Sequence, residues 1–182
     1  MRIFFIGFMG IGKSTLGKLV AQALNYEFLD FDTIIEEDMG MSISSIFAQY
    51  GEPFFRKLEH DTLGEVIQTR NDFVMGTGGG LPCFNNNMTK INEHGCSVYL
   101  RANANEIANR LADSSGSRPL IQDKSREELK KYVIDLLEIR NDFYLRSHLI
   151  VDLDLSLSKQ ENVDRIIKEL TAFLSCLPPD QG

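Results

Sequence analysis

A three-layer α/β fold, a parallel sheet with helices on both faces, is the architecture this sequence predicts, on three observations. Strand-like and helix-like stretches alternate along the chain. The first strand, Ile3–Ile6, is a continuous apolar run, as expected of a strand buried on both faces. That run enters a glycine-rich turn followed by an amphipathic helix, Lys13–Leu24, with Leu16, Leu19, Val20, Ala23 and Leu24 on one side.

The remaining elements follow in order. Glu27–Asp30 reads as the second strand. Thr33–Met39, Ser44–Tyr50 and Pro53–Arg70 read as helices, the last with proline in its first turn, where a missing N–H is tolerated. Phe73–Thr77 is a third strand that runs into Gly78-Gly79-Gly80. Asn86–His94 reads as a helix, Cys96–Leu100 as a strand and Asn103–Ala112 as a helix. Residues 113–124 hold Ser-Ser-Gly-Ser and a proline, and are expected to form a mobile lid. Ser125 and Glu128 form a capping box that opens a helix to about Arg146. Leu149–Asp152 is the last strand; Ser158 and Glu161 cap a final helix whose Val163, Ile166, Ile167, Leu170, Phe173 and Leu174 face the core. One domain over residues 1–177 is expected, with a disordered tail at 178–182.

Composition narrows the class. Hydrophobic residues at 43% and charged residues at 25% describe a globular chain, and 182 residues can bury a core without disulfides or a structural metal. A net charge of −7 argues against nucleic-acid and anionic-membrane partners, since both favour a basic face. Cys83, Cys96 and Cys176 are odd in number and lack a CxxC pair, so neither a disulfide framework nor a zinc site is indicated and a reducing cytoplasm is expected. No apolar run approaches the ~20 residues of a membrane span. Ile3–Ile11 after Arg2 has the look of a signal-peptide core, but Gly12-Lys13-Ser14-Thr15 stands where a cleavage site would be.

Gly7-Phe8-Met9-Gly10-Ile11-Gly12-Lys13-Ser14 fits the phosphate-loop pattern GxxxxGK[ST]. A triphosphate needs several backbone N–H donors converging on it, and glycines let the chain wrap that closely. The following helix adds its unpaired N–H groups and positive dipole end. Gly10, Ile11, Gly12, Lys13, Ser14 and Thr15 are therefore the candidate ATP-binding residues, with Lys13 on the β and γ phosphates and Ser14 on Mg²⁺.

Asp30 and Asp32 follow the second strand, where an open α/β sheet places its ligand crevice. One carboxylate there can hold Mg²⁺ and the other orient or deprotonate a substrate hydroxyl. The alternative is that Asp32 caps the helix near Thr33 and Asp30 is solvated. Arg140 lies in phase with the apolar stripe Leu129, Tyr132, Val133, Leu136, Phe143 and Tyr144, so its guanidinium needs an anion: a ligand carboxylate, a protein acid, or water reached by snorkelling. Arg56, four residues after Glu52 and three before Glu59, is either a surface ion pair or a binding group. Arg118 in the lid either neutralises charge during transfer or is solvated. Arg110 either stacks on adenine or is plain helix surface. Gly78, Gly79 and Gly80 admit a ligand against bare backbone and can offer N–H groups to an anion. His60, His94 and His148 show no ligand spacing.

Taken together these segments resemble the shikimate kinase family, from Arg2 to about Asp152. The resemblance is carried by Gly7 through Thr15, by Asp30 and Asp32, by Gly51-Glu52-Pro53-Phe54-Phe55-Arg56-Lys57-Leu58-Glu59, by Thr77 to Gly80, by Arg118-Pro119-Leu120, and by Arg140 with Tyr144. It implies a five-stranded parallel sheet in the order 2-3-1-4-5, and transfer of the ATP γ-phosphoryl group to the 3-hydroxyl of shikimate in aromatic amino acid biosynthesis. It further implies that Asp32, Arg56, Gly79 and Arg140 hold shikimate, with both arginines on its carboxylate. Asp32 would sit at the accepting hydroxyl, Asp30 near Mg²⁺, Arg110 near adenine and Arg118 in the closing lid; a monomer is expected. Some positions depart from the family pattern: Met75-Gly76, Leu81-Pro82-Cys83, Ser147-His148 and the whole stretch Leu153–Ser158. Other small-molecule kinases, such as gluconate or nucleotide kinases, remain rivals. A GTPase switch lacks its Asn-Lys-x-Asp motif here, and intact Lys13, Ser14, Asp30 and Asp32 oppose a binding protein without turnover.

Overall fold

The computed structural model describes residues 1–113 and 124–176, so Arg118, most of the expected lid and the 178–182 tail lie outside the described residues. Five parallel strands form one sheet: β1 (Arg2–Ile6), β2 (Glu27–Asp30), β3 (Phe73–Gly76), β4 (Cys96–Arg101) and β5 (Leu149–Asp152), in the order β2-β3-β1-β4-β5. Phe4 sits opposite Met75 on one side and Ser97 on the other. Seven helices are described: α1 (Lys13–Leu24), α2 (Phe31–Met39), α3 (Ile43–Thr69), α4 (Asn87–His94), α5 (Ala104–Asp113), α6 (Arg126–Tyr144) and α7 (Lys159–Ser175).

Successive strand residues point to opposite faces, and this divides the core in two. Ile3 and Phe5 join Val20 of α1, Ile107 and Leu111 of α5 and Ile166 of α7. Phe4 and Ile6 join Ile35 of α2, Leu63 of α3 and Ile91 of α4. The strand residues among these are fully buried, and each such side chain contributes about 1.5–3 kcal/mol relative to exposure. Helix α6 serves both faces: Leu129 and Val133 lie in the first cluster and Tyr144 in the second.

The structure moves a few boundaries. Helix α2 starts at Phe31, two residues before the expected Thr33, because Phe31 turns into the core directly after β2. The two helices expected at Ser44–Tyr50 and Pro53–Arg70 make up the span of α3, which is broken between them at Gly51 (φ 78°, ψ 171°), a non-helical conformation that favours glycine. Strand β3 stops at Gly76, although Thr77 N–H still donates to Phe5 O. Helix α6 ends at Tyr144 rather than about Arg146. Both expected capping boxes are present, Ser125 with Glu128 and Ser158 with Glu161. Because all strands run parallel, Ile6, Asp30 and Gly76 deliver their following loops to one edge of the sheet.

Candidate active site

At that edge a crevice of about 320 Å³ is lined by the phosphate loop, Asp30, Asp32, Thr77, Gly79 and Arg110. Gly12 is the N-cap of α1 at φ 105°, which leaves the first-turn N–H groups without a side-chain cap and open to an anion. Gly7 approaches so closely that a Cβ there would stand 2.7 Å from Leu100 O. Lys13 Nζ donates to Gly7 O at 2.7 Å and Phe8 O at 2.9 Å, so its charge rests on the loop it serves. Ile11 is fully buried and can offer only main chain, whereas Gly10, Ser14 and Thr15 line the crevice.

The two aspartates stand in different surroundings. Asp30 occupies the N-cap position of α2 but caps nothing; its Oδ2 instead accepts from Ser14 Oγ at 2.6 Å. Hydroxyl and carboxylate oxygens side by side are donors that suit a hard divalent cation. Asp32 lies one residue into α2 and faces the crevice, so it is not the helix cap of the alternative reading. Desolvation by the crevice walls raises its pKa, and the nearby Asp30 charge raises it further against the pull of Lys13.

The triple glycine explains itself by what stands opposite. None of the three has positive φ, so left-handed backbone is not the reason for them. A Cβ on Gly78 would lie 2.8 Å from Asp32 Oδ1, one on Gly79 3.1 Å from Arg140 Nη1, and one on Gly80 2.8 Å from Arg56 Nη1. Each glycine leaves room for a different charged group. The backbone of this wall is pinned: Tyr144 Oη donates to Gly79 O at 2.5 Å and Thr77 Oγ1 to Phe5 O at 2.9 Å.

Arg140 sits where the stripe of α6 puts it, and its Nη1 is buried with no hydrogen-bond partner among the described residues. An orphaned guanidinium N–H costs free energy unless a ligand satisfies it. Arg56 is paired with both neighbouring glutamates, yet its side chain is only 14% exposed and one partner, Glu59, is buried, so this is no surface ion pair. Nε and Nη2 donate to Glu52 Oε1 at 3.1 and 2.9 Å, and Nη1 to Glu59 Oε2 at 2.6 Å. Of five guanidinium donors, these bonds leave one N–H on each terminal nitrogen, a fork turned toward Gly80.

Glu59 belongs to this site although the sequence presents it only as part of a motif. Its charge interacts with Arg56, Asp32 and Arg140, and burial, opposed by Arg56, pushes its pKa from 4.5 up to about 7. Between those values the folded state holds a proton that the unfolded chain has released, so stability falls as pH rises across this window. The full fall from this group is about 3 kcal/mol. Urea unfolding at about pH 5 and about pH 8 is expected to show a shallower loss in Glu59→Gln than in wild type. Parallel slopes would remove Glu59 from the account.

A second cavity of about 250 Å³ adjoins the first through Thr15 and Arg110, and is lined by Leu155, Leu157, Ser158 and Asn162. The buried Asn162 amide organises it, donating to Asp154 O at 2.8 Å and accepting from Asp154 N at 3.3 Å. These residues come from the stretch that departs from the family pattern and from the helix after it, and the fold sets them beside Thr15 and Arg110. Arg110 bridges the two cavities, its Nη2 3.8 Å from the place of a Gly12 Cβ. The histidines are bonded locally, His60 to Asn87, His94 to Lys90 O and His148 to Ser97.

A phosphate loop and an acid facing it in one crevice, with Arg140 and Arg56 against the adjoining glycine wall, define an ATP-dependent small-molecule kinase of the P-loop class. The sequence profile of the shikimate kinase family matches residues 9–171. The shikimate kinase of Azobacteroides pseudotrichonymphae is 44% identical over 149 residues, 82% of this chain and 88% of that one. The crystal structure of shikimate kinase from Bacteroides thetaiotaomicron superposes with a TM-score of 0.88 at 37% identity, covering 94% of this chain and 98% of the other. That of Acinetobacter baumannii shikimate kinase in complex with shikimate gives 0.85 at 30% identity, covering 97% and 95%. The chain belongs to the shikimate kinase family.

Proposed function

We propose that the protein transfers the γ-phosphoryl group of ATP to the 3-hydroxyl of shikimate, giving shikimate 3-phosphate and ADP for aromatic amino acid biosynthesis. The observation that carries the reading is the orphaned Arg140 Nη1 beside Gly79, a residue that lines the phosphate-loop crevice. It favours a carboxylate acceptor over gluconate-like or nucleotide rivals only together with the Arg56 fork: two guanidinium groups match one carboxylate. The Acinetobacter relative, solved with shikimate, supports the same acceptor.

In this reading the loop amides and Lys13 hold the β and γ phosphates, and Lys13 exchanges its bonds to Gly7 and Phe8 carbonyls for phosphate oxygens. Ser14 and Asp30 would hold Mg²⁺, which would supply neutralisation of the phosphate charge. Arg56 and Arg140 fix the carboxylate against Gly78–Gly80, bringing the opposite side of the ring toward Asp32. Asp32 orients the hydroxyl and takes its proton as the oxygen bonds to the γ-phosphorus and the bond to the ADP oxygen breaks; its raised pKa suits it to that transfer. Arg118 counters the charge that develops, and Arg110 with the Leu155–Asn162 cavity receives adenine. We also take the enzyme to act as a monomer in the cytoplasm, where ATP is supplied, without nucleic-acid or membrane partners; the net charge of −7 supports the last point. Among the described residues no helix is long and apolar enough to cross a membrane.

ADP release with ATP and Mg²⁺ tests the reading, with shikimate, gluconate and nucleoside monophosphates offered separately. Stimulation by shikimate alone is the expected result. Stimulation by another acceptor instead would keep the kinase and overturn the substrate.

A further inference from the structure

Phe84 is a large aromatic residue left 37% exposed, so burial does not explain its position. Its ring centroid lies 4.0 Å from Arg56 Cζ. Phe55 and Phe47 approach the same guanidinium from the core side, at 5.4 and 5.8 Å, and Phe84 is the nearest of the three. Glu52 and Glu59 hold edges of the group, but ion pairs alone leave a flexible side chain free to tilt about them. A ring stacked on the face removes that freedom and is itself favoured by the cation.

The chain is built to put the ring there. Asn85 and Asn86 are consecutive left-handed residues, at φ 49° and 57°, a conformation asparagine tolerates better than most. Asn85 Nδ2 donates to Arg56 O at 2.8 Å, tying the turn to the residue it covers. Asn87, fully buried, accepts from His60 Nδ1 at 2.7 Å and donates to Leu81 O at 3.0 Å, fixing the other end of the turn to the glycine wall. The turn therefore fastens Phe84 between α3 and the segment that follows Gly80.

We propose that Phe84 is a specificity-determining positioning residue, whose ring holds the free fork of Arg56 edge-on to the substrate carboxylate. The inference rests on the shikimate reading above. It requires that removal of the ring weakens recognition of the carboxylate while leaving nucleotide binding and phosphoryl transfer alone.

The test compares Phe84→Ala, Phe84→Leu and Phe84→Tyr with wild type, using shikimate and its uncharged methyl ester as acceptors. Removing a cation–π interaction at a partly buried site corresponds to about a tenfold rise in KM for shikimate in Phe84→Ala. kcat and KM for ATP are expected to stay within about twofold. Phe84→Tyr restores KM, Phe84→Leu does not, and the advantage of shikimate over its ester narrows in Ala and Leu alike. Unchanged KM in Phe84→Ala, rescue by Leu as full as by Tyr, or an undiminished advantage over the ester would each overturn the proposal. Should the alanine variant fail to fold, the Leu and Tyr variants decide between themselves. A wild-type enzyme that ignores shikimate sinks the acceptor reading, whereas an active wild type with indifferent variants sinks Phe84 alone.

Discussion

Asp32→Asn is expected to lower kcat by about 10²–10⁴-fold, the contribution of a positioned acid–base group, while KM for ATP changes by less than about twofold. Asn keeps the size and a hydrogen-bonding oxygen, so the hydroxyl can still be bound but its proton has no acceptor. Asp30 and Ser14 remain bonded to each other, which is why the nucleotide side is spared. The pH profile adds a second readout. Desolvation and the Asp30 charge raise the Asp32 pKa, so wild-type activity falls on the acid side at a pH above the ordinary carboxylate range. The variant loses that limb. Steady-state kinetics over pH check both points, and equal losses in turnover and ATP affinity would count against the assignment.

Arg140→Met is the second large effect, and it has two opposed signs. Removing one partner of a desolvated charged hydrogen bond costs about 2–5 kcal/mol, so KM for shikimate is expected to rise by about a hundredfold or more. The unliganded protein, by contrast, is expected to unfold at higher temperature, because a buried N–H without a partner is replaced by an apolar end of similar length. Thermal unfolding with and without shikimate reads both at once: the variant starts higher and gains nothing from the ligand. A lower starting temperature would mean that Arg140 already has what it needs within the protein.

Much of this is legible without coordinates. Helix α1 and strands β2 and β5 fall on the residues expected of them, because each is bounded by a strong local signal: the phosphate loop, Asn25 in a left-handed cap, or an apolar run meeting charge. The break at Gly51 is also legible, since Gly51 and Pro53 both interrupt a helix locally, and the chain leaves helical geometry at Gly51. Asp30 and Asp32 read as a pair with two tasks, but which one meets Ser14 depends on the start of α2, set by burial of Phe31. Glu59 does not stand out as a site residue because an acid three positions from an arginine on a helix looks like a surface pair. Its burial comes from packing beneath Gly78, which no local pattern encodes. Leu155, Leu157 and Asn162 are invisible for the same reason, their meeting with Arg110 being a product of the fold.

The wall of three glycines also bears on how this enzyme can change under selection. Any missense change at these codons adds a side chain. At Gly78 it meets Asp32, at Gly79 Arg140 and at Gly80 Arg56, three different charged groups. An inhibitor seated in the hollow over this wall would face a surface from which the commonest escape, enlarging a small residue to exclude the drug, also obstructs the enzyme's own acceptor. Resistance would have to arise at a distance from the wall.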